Sequence, residues 1–161
     1  MSREVRISLT SRGATCIARL LDDEAPRTCA ALWELLPFEA PAWHSKTSYA
    51  EVYALFPAES ALPLENPCFA PLPGDLVHFS FARTSFPKED PRTRGLAADG
   101  DLSCIGSFYE RHSVHRIESG IVPGSRFGKI LGDLESWREA CYSLLEHGSA
   151  GERLRIEQTV G

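Results

Sequence analysis

Hydrophobic and polar residues alternate at the start of the chain. Val5, Ile7 and Leu9 are separated by Arg6 and Ser8, the period-two pattern of a half-buried strand. Ser11-Arg12-Gly13 supplies a turn, and residues 14 to 21 read as a second strand, so the chain opens with a β-hairpin. The period then changes. Asp22-Asp23-Glu24-Ala25-Pro26 places acidic residues and a proline where a helix begins, and Cys29, Leu32, Trp33 and Leu36 follow at helical spacing. The pattern predicts a helix over 26–36, stopped by Pro37 and packed across the open end of a barrel.

Two short strands are expected near 42–46 and 50–56. Pro57, Pro63, Pro67, Pro71 and Pro73 then break regular structure and predict a long irregular connection. Strand character returns at Leu76–Phe81, at Leu102–Tyr109 and at Phe127–Leu131, with polar loops expected at 83–100 and 111–123. Asp133 is placed to cap a second helix over 133–147, with Leu134, Trp137, Cys141 and Leu144 on its buried side and Gly148 as its stop. Leu154, Ile156 and Val160 alternate in a closing strand. The fold class predicted is mainly β, a closed antiparallel β-barrel with two capping α-helices, formed as a single domain over residues 1–161.

Composition narrows the function classes. The chain carries a net charge of −5, which disfavours nucleic acid, because phosphate contacts need a basic face. No signal-peptide core and no apolar run of about 18 residues is present, so neither secretion nor a membrane partner is expected. The five cysteines are widely spaced without a CxxC, the usage of reduced thiols in a cytoplasmic protein. The sequence implies no cofactor and no metal. His112 and His115 are a close pair in a predicted surface loop but lack an obvious third ligand.

The element order and several short motifs resemble the cyclophilins. Asp23-Glu24-Ala25-Pro26-Arg27-Thr28-Cys29 is similar to the cyclophilin segment that starts the first helix. Val122 to Ile130 resembles the strand before the second helix in bacterial cyclophilin-like proteins of unknown function. Gly74-Asp75-Leu76 and Phe108-Tyr109 match strand ends of the same group. The resemblance implies an eight-stranded barrel with a helix at each end. It does not carry over peptidyl-prolyl isomerase activity. The isomerases have an arginine directly after a Phe-His pair and a later QGGD turn, whereas this chain reads Trp43-His44-Ser45-Lys46 and has no QGGD. Lysine is a flexible point charge and a poor substitute for a planar guanidinium.

The candidate chemistry centres on residues 43–51. His44 and Glu51 are expected to face one pocket from adjoining strands, where a histidine with a carboxylate partner suits general acid–base work near neutral pH. Trp43, Lys46, Ser48, Tyr109 and Arg126 are the expected ligand-binding residues, the cations serving a carbonyl or carboxylate oxygen. Two readings follow. One is a small-molecule pocket protein, acting on a cyclic amide or another small carbonyl compound. The other is a non-catalytic binding or assembly module. The segment from Phe56 to Phe69, with aromatics outside clear core positions, is expected to bury itself in a homodimer or higher homo-oligomer.

Overall fold

The N-terminal alternation forms the expected hairpin in the computed structural model, which describes residues 3–58, 61–96 and 99–159. Strand β1 (Glu4–Leu9) pairs antiparallel with β2 (Ala14–Leu20), Ile7 opposite Cys16. The reversal uses a 3₁₀ turn at Thr10–Arg12 and Gly13 at φ 63°, a left-handed conformation that glycine adopts without a Cβ penalty.

Helix α1 (Pro26–Leu35) follows, then β3 (Phe38–His44), β4 (Glu51–Ala58), the two-residue β5 (Pro67–Cys68), β6 (Asp75–Ala82) and β7 (Asp101–Phe108). A small hairpin of β8 (Arg116–Ile117) and β9 (Gly120–Ile121) leads into β10 (Gly124–Leu131), α2 (Leu134–His147) and β11 (Arg153–Gln158). The strands are ordered β2-β1-β11-β3-β4-β7-β6-β10, and β10 pairs again with β2, so eight strands close into a barrel; β5 adds to β10 outside the ring. Every pairing is antiparallel. This is the expected mainly β, closed antiparallel barrel with two helices.

The interior is filled from both ends. Val5, Ile7, Leu9, Val52, Ala54 and Ile105 meet Cys29 and Leu32 of α1 and Trp137, Cys141 and Leu144 of α2 in one buried cluster. Trp137 keeps its indole N–H satisfied there by donating to Ser107 Oγ at 2.9 Å. Asp133 caps α2 by accepting from Glu135 N and Ser136 N, as the sequence predicts. Arg12 ties the hairpin to α2 and β11. Its guanidinium donates to Ser143 O and to the carboxylate of the fully buried Glu152, at 2.7 Å for the latter.

Several expectations are corrected. Strand β3 begins at Phe38, not near 42, because Phe38, Ala40 and Ala42 alternate along β11. Pro41 is tolerated because β4 joins β3 only from Ala42 onward, so no ladder to β4 needs a proline N–H. The predicted surface loop at 83–100 contains two 3₁₀ turns, Arg83–Ser85 and Pro91–Thr93, and it covers part of the barrel's outside. Phe86 packs with Leu55, Leu102 and Cys104 in a second cluster, joined by Tyr53, Phe79, Phe81 and Leu96. Strands β4, β6 and β7 are therefore apolar on both faces, which hides the period-two signal there. Phe56 belongs to the main core and offers no surface, whereas Phe69 is exposed. Val160, placed in the closing strand by its alternation, lies outside the described residues.

Among the described residues, no helix is long and apolar enough to cross a membrane. The five cysteines are free.

Candidate functional site

The outer overlay and the β3–β4 connection leave a groove between them, about 1190 Å³ in volume, over the outside of β4 and β7. Successive strand residues point to opposite faces. Val52 and Ala54 therefore enter the core, while Glu51, Tyr53 and Leu55 line the groove. Phe86, Asp90 and Arg92 form one wall. Residues 43–47 and the segment from His115 to Ser119 form the other.

Glu51 is held by a tight turn. Ser45 N donates to Glu51 O at 2.8 Å, and Ser45 Oγ accepts from Thr47 N and Ser48 N. Ser48 Oγ donates to Arg116 O and accepts from Arg116 N, which pins this turn to β8. The Glu51 side chain then lies flat across Gly106 of β7. A Cβ at Gly106 would stand 2.1 Å from Glu51 Oε1, so only glycine leaves the carboxyl its place. Glu51 is 5% exposed and makes no ion pair with the described residues. Burial pushes its carboxyl up to about 7, with the Ser48 and Ser45 hydroxyls offsetting part of that rise. A carboxyl in this state exchanges protons near neutral pH.

His44 sits differently. Its Nδ1 lies 2.8 Å from Ser45 O, which can only accept, so Nδ1 carries the proton and Nε2 accepts from the Tyr109 hydroxyl at 2.6 Å. Burial lowers its pKa, and both nitrogens of the neutral ring are occupied. His44 lines the same groove as Glu51, but no hydrogen bond joins the two side chains. His44 stands opposite Val52, so Glu51, one residue earlier, leaves the sheet from the other face.

The other expected residues divide. Trp43 and Lys46 border the groove. Ser48 and Tyr109 are buried and act behind it, through Arg116 and His44. Arg126 falls on β10 opposite Val77 and does not line the groove, because β6 separates it from β7 and β4.

Sequence reasoning missed Asp90, Arg92 and Gly106, and read His115 as part of a surface loop. Arg92 is held by Asp90 through Nε at 2.9 Å and Nη2 at 2.6 Å, stacks over the Phe86 ring, and reaches the Tyr53 hydroxyl. The Asp90-Pro91-Arg92 triplet is an available signal, since Asp before Pro starts a turn. His115 is 4% exposed, not a surface residue. Its Nδ1 donates to Val122 O at 2.8 Å. No three or more His, Cys, Asp or Glu side chains cluster as a metal site among the described residues.

Residues 7–156 match DUF3830, described as a protein of unknown function. The chain belongs to the DUF3830 family. No curated protein matches it. Among solved structures, this DUF3830 chain is similar to McbB in complex with tryptophan, with TM-score 0.67 and 16% identity over 98% of this chain. It spans 45% of the length of McbB. A hypothetical protein from Archaeoglobus fulgidus is similar at TM-score 0.55 and 18% identity, covering 98% of this chain and 95% of its own. A cyclophilin-type peptidyl-prolyl cis–trans isomerase from Cryptosporidium parvum is similar at TM-score 0.53 and 13% identity, covering 100% and 99%. These likenesses place the DUF3830 chain in the cyclophilin-like fold.

Proposed function

We propose that this chain is a small-molecule pocket protein that binds a carbonyl compound in the outer groove, a cyclic amide being one such ligand, and exchanges a proton with it through Glu51. The observation that carries this reading is the Glu51 carboxyl itself, buried on the groove floor against Gly106 with no cation to hold it ionised. Burying a carboxyl without a partner is unfavourable for folding, and such groups concentrate where proton transfer is needed. Tyr53 offers a hydroxyl donor beside it, and Phe81, Phe86 and Trp43 supply apolar walls. His44 serves as a positioning residue at the groove's edge, since neither ring nitrogen is free. Isomerisation of prolyl peptides is not part of the proposal, because the groove's Arg92 is engaged by Asp90.

An NMR titration of the ¹⁵N-labelled chain with 2-pyrrolidinone and cyclohexanone tests the reading. Shift changes that saturate and centre on Tyr53, Cys104 and Gly106 are expected. No saturating change, or changes centred elsewhere, overturns it.

A second reading, a binding or assembly module, is favoured by one surface. Leu64, Phe69 and Leu72 are each at least half exposed, and Ile121 is exposed near them, where His115 N bonds Phe69 O. This reading expects a homodimer by light scattering, and a mass of 17.8 kDa at micromolar concentration overturns it.

A further inference from the structure

The groove holds a further titratable side chain on the opposite side of Gly106. Gly106 stands on β7 between Tyr53 of β4 and Val77 of β6. Glu51 covers it from the β4 side. On the β6 side stands His115. A Cβ built at Gly124 would meet Val77 Cγ1 at 2.3 Å and His115 Cε1 at 3.4 Å, which places the imidazole beside Val77. Its ring also packs against Phe79 and Phe108, with centroids 5.2 Å and 6.3 Å away. Both His115 and Glu51 line the groove.

The tautomer of His115 is fixed by its surroundings. The Val122 carbonyl takes the Nδ1 proton, so Nε2 carries a lone pair. Unlike His44 Nε2, it has no hydrogen-bond partner among the described residues. The ring is nearly enclosed by apolar neighbours, and burial disfavours the imidazolium. Lys46, Arg116 and Glu118 are the charged side chains that line the same wall, and the Arg92–Asp90 pair faces it from the overlay.

We infer that His115 is the second proton-transfer residue of this groove, paired with Glu51 across the bare backbone of Gly106, and that the ligand is an enolisable carbonyl compound. The inference rests on the groove being a ligand site, as proposed above. In the forward step the α-carbon's C–H bond breaks and its proton passes to His115 Nε2. The C–H electron pair forms the C=C bond. The carbonyl π pair moves to oxygen, which takes the proton of Glu51. The products are an enol, an imidazolium and a carboxylate. No electrons are gained or lost, and the summed charge stays at zero. Return of a proton to the carbon reverses the step.

Exchange of α-hydrogens in D₂O tests the pairing, with cyclohexanone as the probe and ¹H NMR as the readout. Wild-type protein is expected to exceed the buffer rate. His115→Gln and Glu51→Gln should each lower the enzymatic rate about 100-fold or more, the usual scale of a general acid or base, while probe-induced shifts at Gly106 persist. His115→Ala should regain exchange on addition of imidazole, which a purely structural histidine would not do. Binding without exchange in the wild type, or full exchange by His115→Gln, overturns the pairing and leaves the ligand site standing. Absence of both binding and exchange overturns the two together. Should His115→Gln fail to fold, judged by its amide spectrum, the imidazole response of His115→Ala decides, and no response overturns the pairing.

Discussion

Glu51 and Gly106 depend on each other, and each gives a prediction at the residue scale. The folded pKa of Glu51, about 7, lies above its ordinary value of 4.5. A group raised in this way holds its proton in the folded state while the unfolded chain has already released it. Its contribution is therefore favourable at low pH and is lost as pH rises through the window from 4.5 to about 7. The loss is on the order of 3 kcal/mol, at 1.36 kcal/mol per pKa unit. Glu51→Gln should gain stability relative to wild type by that order at pH 8 and by little at pH 4.5. Urea unfolding of both proteins at the two pH values checks this, and a difference that does not change with pH refutes it. The comparison must be made against wild type at each pH, because His78 pulls the other way. Buried beside Ser103, it is held down to about 4. Its contribution is present above the ordinary 6.5 and is lost as pH falls toward 4. Gly106→Ala meets a steric limit instead. Its methyl group would overlap the Glu51 carboxyl, so Glu51 must leave the groove floor. A loss of about 1–3 kcal/mol is expected from the overpacking, together with a fall in the Glu51 pKa toward 4.5 as the carboxyl reaches water. Carboxyl ¹³C titration measures the second effect, and a pKa unmoved from wild type contradicts it.

At the scale of elements, a buried ion pair ties the N-terminal hairpin to the segment that follows α2. Beyond α2, Glu152 is sealed and accepts from Ser11 N, Arg12 and Arg153 N. Burial opposes its charge, but these bonds outweigh burial and hold its pKa below the ordinary value. Arg12→Ala would leave a buried carboxylate short of its cation. Breaking such a pair costs about 3–5 kcal/mol, and the loss should grow as pH rises through the carboxylate range, which chemical denaturation at pH 4 and pH 7 measures. A loss within 1 kcal/mol would mean that solvent already reaches Glu152. Asp133 makes a smaller contribution. Asp133→Ala removes the acceptor for Glu135 N and Ser136 N at the start of α2, and a loss smaller than that of Arg12→Ala is expected by the same measurement. These elements were legible in different degrees. The cap, the helical stripe and the N-terminal hairpin were read correctly because each is set by neighbours within a few residues. The start of β3 was not, because its partner β11 lies more than a hundred residues away and the prolines at 37 and 41 signalled a loop.

At the scale of the whole molecule, the groove exists because segments far apart in sequence meet outside the barrel. The β3–β4 turn, the overlay at 83–96 and the strand-like run from His115 contribute its walls. The sequence by itself determined the barrel class and both helices. Local periodicity, caps and turn residues carry that information, and the cyclophilin-like resemblance added the ring closure. It also singled out Glu51, but as the partner of His44. Only the tertiary structure decided the pairing. Strand register sends His44 to Tyr109 and Glu51 onto Gly106, because adjacent residues leave a sheet from opposite faces. It also turned His115 inward from a segment that reads as a polar loop, and moved Arg126 away from the groove on a strand three places removed from β4. A side chain's burial and hydrogen-bond partners are fixed by long-range pairing, and no local pattern in the chain records them.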